Sequence, residues 1–330
     1  MFFSIVIPTY NPREWISTLL ESISHNKCLD DIEVIISDDC SDEPFDDVIE
    51  KFTMLNIVRI CNDKHCGFPR DGREHGAQKA NGKWICFADQ DDFFLDNVFD
   101  NMKNHILEND VHDYIACAFI KQEMATGETF LTNGLSGWTH GKFYEKKFWD
   151  EHDVHYAKVK YCEDTSLSTT MQCVLMDEEK TIHVIDDPVY VWCRRNGSLS
   201  TCDYFTESMP DYIDITLGVI VEYVEKHSED EDNKLLNDFA ALFYRTFLHL
   251  YFYLQTPHFR ERKDKVLEAV LCARPYFDRF KKALNTDNQR LWKMTNNEFL
   301  NEYNATREND YRQIPFIEQI NFNDWLNIYF

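Results

Sequence analysis

The sequence predicts an α/β domain with a Rossmann-like, mostly parallel central sheet and flanking helices, followed by a helical C-terminal region. Three observations carry this. Short β-branched runs, each ended by a turn, alternate with helix-period segments between Ser4 and Ala88, and such alternation builds a doubly wound sheet. Those runs are nearly continuous in apolar residues, as strands covered on both faces must be. After Asp203 the strand pattern gives way to long helical stretches.

The elements follow in order. Ser4-Ile5-Val6-Ile7-Pro8 is a strand closed by proline and Asn11-Pro12, and Glu14 to Ser24 carries Trp15, Leu19, Leu20 and Ile23 on one helical face. Ile32 to Ile36 is a second strand, Phe45 to Phe52 a helix and Ile57 to Ile60 a third strand. Gly67 to Gly72 reads as a loop leading to a helix near Arg73 to Ala80, and Trp84 to Ala88 as the fourth strand. Beyond it, Asp113 to Lys121 is strand-like, Lys142 to Trp149 a short helix, Glu163 to Leu175 a helix and Thr181 to Trp192 strand-like. Long helices are expected at Tyr212 to His227, Leu235 to Gln255, Lys263 to Cys272 and Asp278 to Leu284. A boundary near residue 205 separates residues 1–205 from a helical domain, 206–330.

Composition narrows the function. The 330 residues carry 34 Lys and Arg against 58 Asp and Glu, a net charge of −24, so the mean field repels nucleic acid. Aromatic residues at 15% and hydrophobic residues at 44% mark a folding chain. The 11 cysteines are scattered without a CxxC pair, and Cys61-x4-Cys66 with His65 is half a zinc site without a second half. No signal peptide is read at Met1-Phe2-Phe3, and Asp238 to Gln255 is too short and too interrupted to span a bilayer. A reducing, cytoplasmic setting is expected, with peripheral contact at the inner face of the membrane left open.

Three acidic groups stand out, two of them at strand ends where ligands bind in such a sheet. Asp89-Gln90-Asp91-Asp92 follows the fourth strand, and carboxylates crowded at a strand's C-terminal end invite a divalent cation or remain a solvated loop. Asp38-Asp39 follows the second strand, suited either to a base or ribose hydrogen bond or to an Asx turn into Ser41. Glu163-Asp164 opens a helix, where Asp164 serves as a cap or as a general base.

Ser4-Ile5-Val6-Ile7-Pro8-Thr9-Tyr10-Asn11, Ile36-Ser37-Asp38-Asp39-Cys40-Ser41-Asp42, Phe87-Ala88-Asp89-Gln90-Asp91-Asp92 and Cys162-Glu163-Asp164, in that order, resemble the motifs of glycosyltransferase family 2 over about residues 3–200. The resemblance implies a GT-A fold, a nucleotide-sugar donor, a divalent metal (Mn²⁺ or Mg²⁺) at a DXD motif, and inversion at the anomeric carbon; a UDP-sugar is the expected donor. It places Pro8, Thr9, Tyr10, Asp39, Arg73, Asp89 and Gln90 at the nucleotide-sugar, with Gly76 the small residue of the helix after Arg73. Asp91 and Asp89 become metal ligands with Asp92 in support, and Asp164, neighboured by Glu163, the catalytic base. Tyr190 to Ser200 resembles the family's segment that closes over the diphosphate, except that Cys193 and Arg195 stand at the usual Arg and His positions. Arg194 and Arg195 are the diphosphate candidates. Trp138, His140 and Lys142 are placed on the acceptor side.

The expected reaction is transfer of one sugar from the nucleotide to a hydroxyl of a glycan or glycan-like polymer. Alternatives are a non-catalytic sugar-nucleotide or carbohydrate-binding module and a nucleotidyltransferase, although no glycine-rich phosphate loop with a Lys occurs early in the chain. Outside the resemblance, Tyr244, Phe247, Leu248, Tyr251, Phe252 and Leu254 form an aromatic helix that is core or a homo-oligomer contact. From His258 to Lys293, ten basic residues face five acidic ones. That stretch is either a solvated face or a contact for an anionic acceptor or lipid surface.

Overall fold

The structure, a computed structural model, describes residues 1–152, 154, 156, 163–195, 215–223, 225, 226 and the single positions 246, 264, 267, 271 and 274. The C-terminal helices expected from Leu235 onward, the basic stretch, Cys162 and residues 196–200 lie otherwise outside the described residues.

The first strands are β1 (Phe3–Thr9), β2 (Ile32–Asp38), β3 (Asn56–Cys61) and β4 (Trp84–Phe87), interleaved with α1 (Ile16–Ser24), α2 (Asp46–Ile49) and α3 (Pro69–Lys79). Then come β5 (Phe93–Phe94), α4 (Val98–Asn109), β6 (Tyr114–Glu123), β7 (Thr129–Thr132), β8 (Lys142–Glu145), α5 (Lys146–Glu151), α6 (Glu163–Asp177) and β9 (His183–Arg194). The sheet order is β3-β2-β1-β4-β8-β6-β9-β5, with β7 paired to β6. Its first half, β3-β2-β1-β4, is parallel throughout. β8 runs antiparallel to both neighbours, and beyond it only β6 and β9 are parallel.

The chain divides into two compact units, Met1–Tyr156 with Thr181–Cys202, and Ala157–Lys180 with Asp203–Phe330. In the first, every residue of β1 and β2 is buried, and Phe3, Phe45, Trp84, Phe99, Phe119, Phe143 and Tyr190 are the largest fully buried side chains of its core. In the second, Leu167, Met171 and Val174 of α6 are buried, as are Leu217 and Ile220 of the helical residues 215–223. Lys226 pairs with Asp177 there.

Buried Glu33 interrupts the apolar run of β2, and its carboxylate accepts from the Gly82 N–H at 3.1 Å while the Gly82 N–H also reaches Ser4 Oγ at 2.7 Å. The end of the sheet opposite the acidic loops is thereby closed without an unpaired carboxylate.

α3 begins at Pro69, four residues before the expected start, because a proline at the first helical position loses no hydrogen bond. It lies close on β1. A Cβ at Gly72 meets Pro8 Cβ at 2.9 Å, and one at Gly76 drives into Val6. Gly76→Ala is therefore expected to destabilise the protein by about 1–3 kcal/mol despite alanine's better helix propensity. Urea unfolding checks it, and an unchanged or raised midpoint would mean the helix can lift off β1.

The segment Lys142 to Trp149 is not one helix. Lys142–Glu145 is β8, and α5 starts only at Lys146. Pairing with β4 and β6 on its two sides, which local pattern does not report, overrides the helical continuity of the sequence.

Candidate active site

The parallel strands β1, β2 and β4 end side by side, and each hands the chain to a polar loop. On β2, Asp38 is buried and makes the Asx turn: Ser41 N–H donates to Asp38 Oδ1 at 3.1 Å, and Arg59 Nη2 donates to Asp38 Oδ2 at 2.6 Å. Asp39 faces the following loop. Its carboxylate accepts from Asn62 Nδ2 at 2.7 Å, Cys66 N–H at 2.9 Å and Gly67 N–H at 2.7 Å, while its own N–H donates to Thr9 O at 2.8 Å. Burial alone raises the Asp39 pKa, but these donors and His65 outweigh it and hold the group below the usual carboxylate range. Residues 62–67 carried no site signal in the sequence beyond the half zinc motif. His65 instead faces Asp39, with Nδ1 at 3.0 Å from Oδ2, and Tyr10 lies against its ring at 4.3 Å between centroids. Cys61 and Cys66 are free thiols.

Pro8 and Thr9 close β1, where Pro8 meets Gly72 of α3 and Thr9 Oγ1 donates to Ser37 O at 3.4 Å. Tyr10, 39% exposed, is held by three hydrogen bonds. Its hydroxyl donates to Asp42 at 2.8 Å, its N–H donates to Gln90 Oε1 at 2.9 Å, and Gln90 Nε2 donates back to Tyr10 O at 3.1 Å. Gln90 thus clamps the β1 loop to the β4 loop.

The β4 loop gathers three carboxylates with three different partners. Asp89 accepts from Arg73 Nη2 at 2.6 Å, and the buried guanidinium of Arg73 lies 5.5 Å from the Tyr156 ring. Burial raises the Asp89 pKa, but the Arg73 charge prevails and keeps the group below its ordinary value. Asp91 accepts from Arg195 Nε at 2.7 Å, yet burial and the Asp89 charge still push it up. Asp92 is fully buried, accepts from Tyr190 Oη at 2.8 Å and from Cys193 N–H at 2.7 Å, and is pushed well up by burial and by Asp89 and Asp91. The Asp89 N–H donates to the same Tyr190 hydroxyl at 2.9 Å. Asp92 and Tyr190 therefore lock the loop to β9.

Of the two arginines at the end of β9, Arg195 reaches the acidic loop and Arg194 pairs with Glu123 at 3.0 Å. His140 is buried beside Asp92, Nδ1 to Oδ2 at 4.0 Å, and stacks on Tyr190 and Trp192, each at 5.3 Å. Burial pushes its pKa down to about 4. Trp138, 41% exposed, lies 4.8 Å from Trp192, and Lys142 is buried with its ammonium on Gly134 O. Trp192 and Tyr190 complete this ladder of rings, and a run of alternating aromatics on β9 was their signal in the sequence. Glu163 and Asp164 occupy the first turn of α6, in the second unit.

The donor set suits a hard divalent cation. Carboxylate oxygens of Asp89 and Asp91 sit at one strand end, and Asp89, Asp92 and His140 bring ligand atoms within 4.8 Å of one another. Burial first, and the neighbouring carboxylates second, raise the Asp91 and Asp92 pKa values, and a cation would offset the second of these.

Residues 4–161 match the model of glycosyl transferase family 2. The chain is similar to that family over this segment. The glycosyltransferase is 25% identical over 300 residues to an uncharacterised glycosyltransferase of Haemophilus influenzae, covering 84% of this chain and 90% of that one. It is 24% identical over 247 residues to the poly(ribitol-phosphate) β-N-acetylglucosaminyltransferase TarS of Staphylococcus aureus, covering 70% of this chain but only 42% of TarS. Among solved structures, the UDP-GlcNAc complex of S. aureus TarS residues 1–349 superposes with a TM-score of 0.66 at 18% identity, over 88% of this chain and 84% of that one. The glycosyltransferase has the GT-A fold. Among its described residues no helix is long and apolar enough to cross a membrane.

Proposed function

We propose that this glycosyltransferase moves a sugar from a UDP-sugar to a hydroxyl of a glycan or glycan-like polymer, with inversion and with Mn²⁺ or Mg²⁺ at Asp89 and Asp91. The observation that carries the reading is the convergence of Asp39, Asp89 and Asp91, with Arg73 and Arg195, at the ends of β2, β4 and β9. TarS, whose name gives N-acetylglucosamine as its sugar and poly(ribitol-phosphate) as its acceptor, supports UDP-GlcNAc as the first donor to try.

Asp39 and its loop, with Tyr10, face the nucleoside, while Pro8 and Thr9 shape the floor beneath it. Arg73 keeps Asp89 ionised and aimed, and Gln90 holds Tyr10 in place. Arg195 meets the diphosphate, where a planar guanidinium matches phosphate oxygens. Arg194, held by Glu123, is the second diphosphate candidate. Trp138, His140 and Lys142 lie on the acceptor side.

Asp164 accepts the proton of the attacking hydroxyl as its oxygen bonds to the anomeric carbon, and the bond from that carbon to the diphosphate breaks on the opposite face. Glu163 adjoins it in the same helical turn. A bound cation would offset charge on the departing diphosphate.

A thermal-shift series with UDP-, GDP-, CDP- and dTDP-sugars, each with and without Mn²⁺, tests the donor class. A UDP-sugar with Mn²⁺ is expected to raise the melting temperature most. A larger shift with another nucleotide would overturn the assignment of uridine.

A further inference from the structure

Asp91 is engaged by a cation of the protein's own. Arg195 Nε donates to Asp91 Oδ2 at 2.7 Å, and its guanidinium carbon lies 5.0 Å from the centre of the Trp15 indole. Both supports are anchored. Trp15 precedes α1, and its N–H donates to Pro12 O at 2.9 Å; the same loop is tied to the β2 loop where Asp42 N–H donates to Asn11 Oδ1 at 2.8 Å. On the other side, Cys193 N–H and the Tyr190 hydroxyl fasten β9 to Asp92, so Arg195 leaves the strand at a fixed place. An aromatic face attracts a guanidinium and restricts its swing. Trp15 therefore presents Arg195 to Asp91 from a stiff seat.

The two cations that Asp91 can meet compete. A divalent ion draws on the same carboxylate whose Oδ2 Arg195 holds, and it repels the guanidinium. A nucleotide diphosphate removes that conflict, because its oxygens accept the fork of N–H donors that Arg195 withdraws from Asp91.

We propose that Arg195, seated on Trp15, is a resident counter-charge that free divalent ion must displace from Asp91 and that a nucleotide diphosphate draws away, so that metal and diphosphate enter as one complex. Trp15 is the positioning residue of this exchange. The inference rests on the metal-dependent reading of the site and adds the order in which its ligands are admitted.

The test measures Mn²⁺ binding to the full chain by electron paramagnetic resonance and UDP binding in saturating Mn²⁺ by calorimetry. Arg195→Gln removes the charge, and its effects carry opposite signs. Free Mn²⁺ is expected to bind about tenfold tighter and UDP about tenfold weaker, the size of one charge-assisted contact. Trp15→Leu shifts both affinities in the same two directions by a smaller factor, and Trp15→Phe, which keeps an aromatic face, returns them towards wild type. A purely structural Trp15 would move neither affinity in this paired way.

If wild type binds Mn²⁺ with UDP and Arg195→Gln leaves free Mn²⁺ affinity unchanged or weaker, the exchange is overturned while the metal site stands. If wild type binds no Mn²⁺ even with UDP present, the metal-dependent reading and the exchange fall together.

Discussion

Asp164→Asn is expected to leave UDP-sugar binding unchanged and to slow transfer by about 10²–10⁴-fold, the usual worth of a positioned general base. The substitution separates two roles. Asp164 lies in the first turn of α6, where any carboxylate gains from the helix dipole. Losing that charge costs only about 0.3–1 kcal/mol at an accessible helix end, and asparagine keeps the shape and hydrogen-bonding reach of the side chain. A structural carboxylate therefore predicts a slightly lowered melting temperature and intact turnover. A base predicts the reverse, since the amide cannot take the acceptor's proton. Steady-state transfer beside a donor-binding titration tells them apart, and wild-type turnover in Asp164→Asn would remove it from the chemistry.

Asp91→Ala carries the other large effect. Transfer is expected to fall by about 10³-fold, with loss of Mn²⁺-dependent donor binding, because a carboxylate holding the metal acts on charge that develops at the leaving diphosphate. The competing account is that Asp91 exists to pair with Arg195 at 2.7 Å. A partly exposed ion pair contributes about 0–1 kcal/mol, so on that account the variant melts a little earlier and turns over normally. Turnover and Mn²⁺ binding of the variant discriminate the two, and retained activity would refute the metal role.

How much of this was legible varies with the range of the forces involved. β1, β2 and β4 were readable because a parallel strand buried on both faces writes its burial into every residue, and every residue of β1 and β2 is buried. The acids after β2 and β4 followed, since topology alone puts ligands at those ends. α4 is not legible in the local sequence, and its start shows why. Asn97 before it is left-handed with φ 58° and gives no side-chain cap; the Phe99 N–H is capped instead by Asn26 Oδ1 at 2.8 Å, 73 residues away. A cap supplied from another element leaves no mark beside the helix it caps. β8 has a helical pattern, and for a related reason it is a strand, its strand state arising from β4 and β6 rather than from its own residues.

The site divides the same way. That Asp39, Asp89 and Asp91 stand in the loops after β2 and β4 was visible from residue type and place. That Arg195 rather than Arg194 reaches the acidic loop was not, because the pairing of β9 with β6 sets Arg194, the last residue of the strand, against Glu123 and leaves Arg195 beyond it. Tyr190 and Asp92 likewise meet across 98 residues of sequence, in a contact that no local pattern encodes.

The central claim is nucleotide-sugar-dependent glycosyl transfer at the Asp89–Asp91 loop, and release of free nucleotide from a panel of nucleotide-sugars in Mn²⁺ tests it most directly. Wild type is expected to release UDP from at least one UDP-sugar, faster when a glycan or polyol-phosphate polymer is added, and Asp91→Ala to release none above background. A folded wild-type protein that neither binds nor turns over any nucleotide-sugar in the panel would contradict the account.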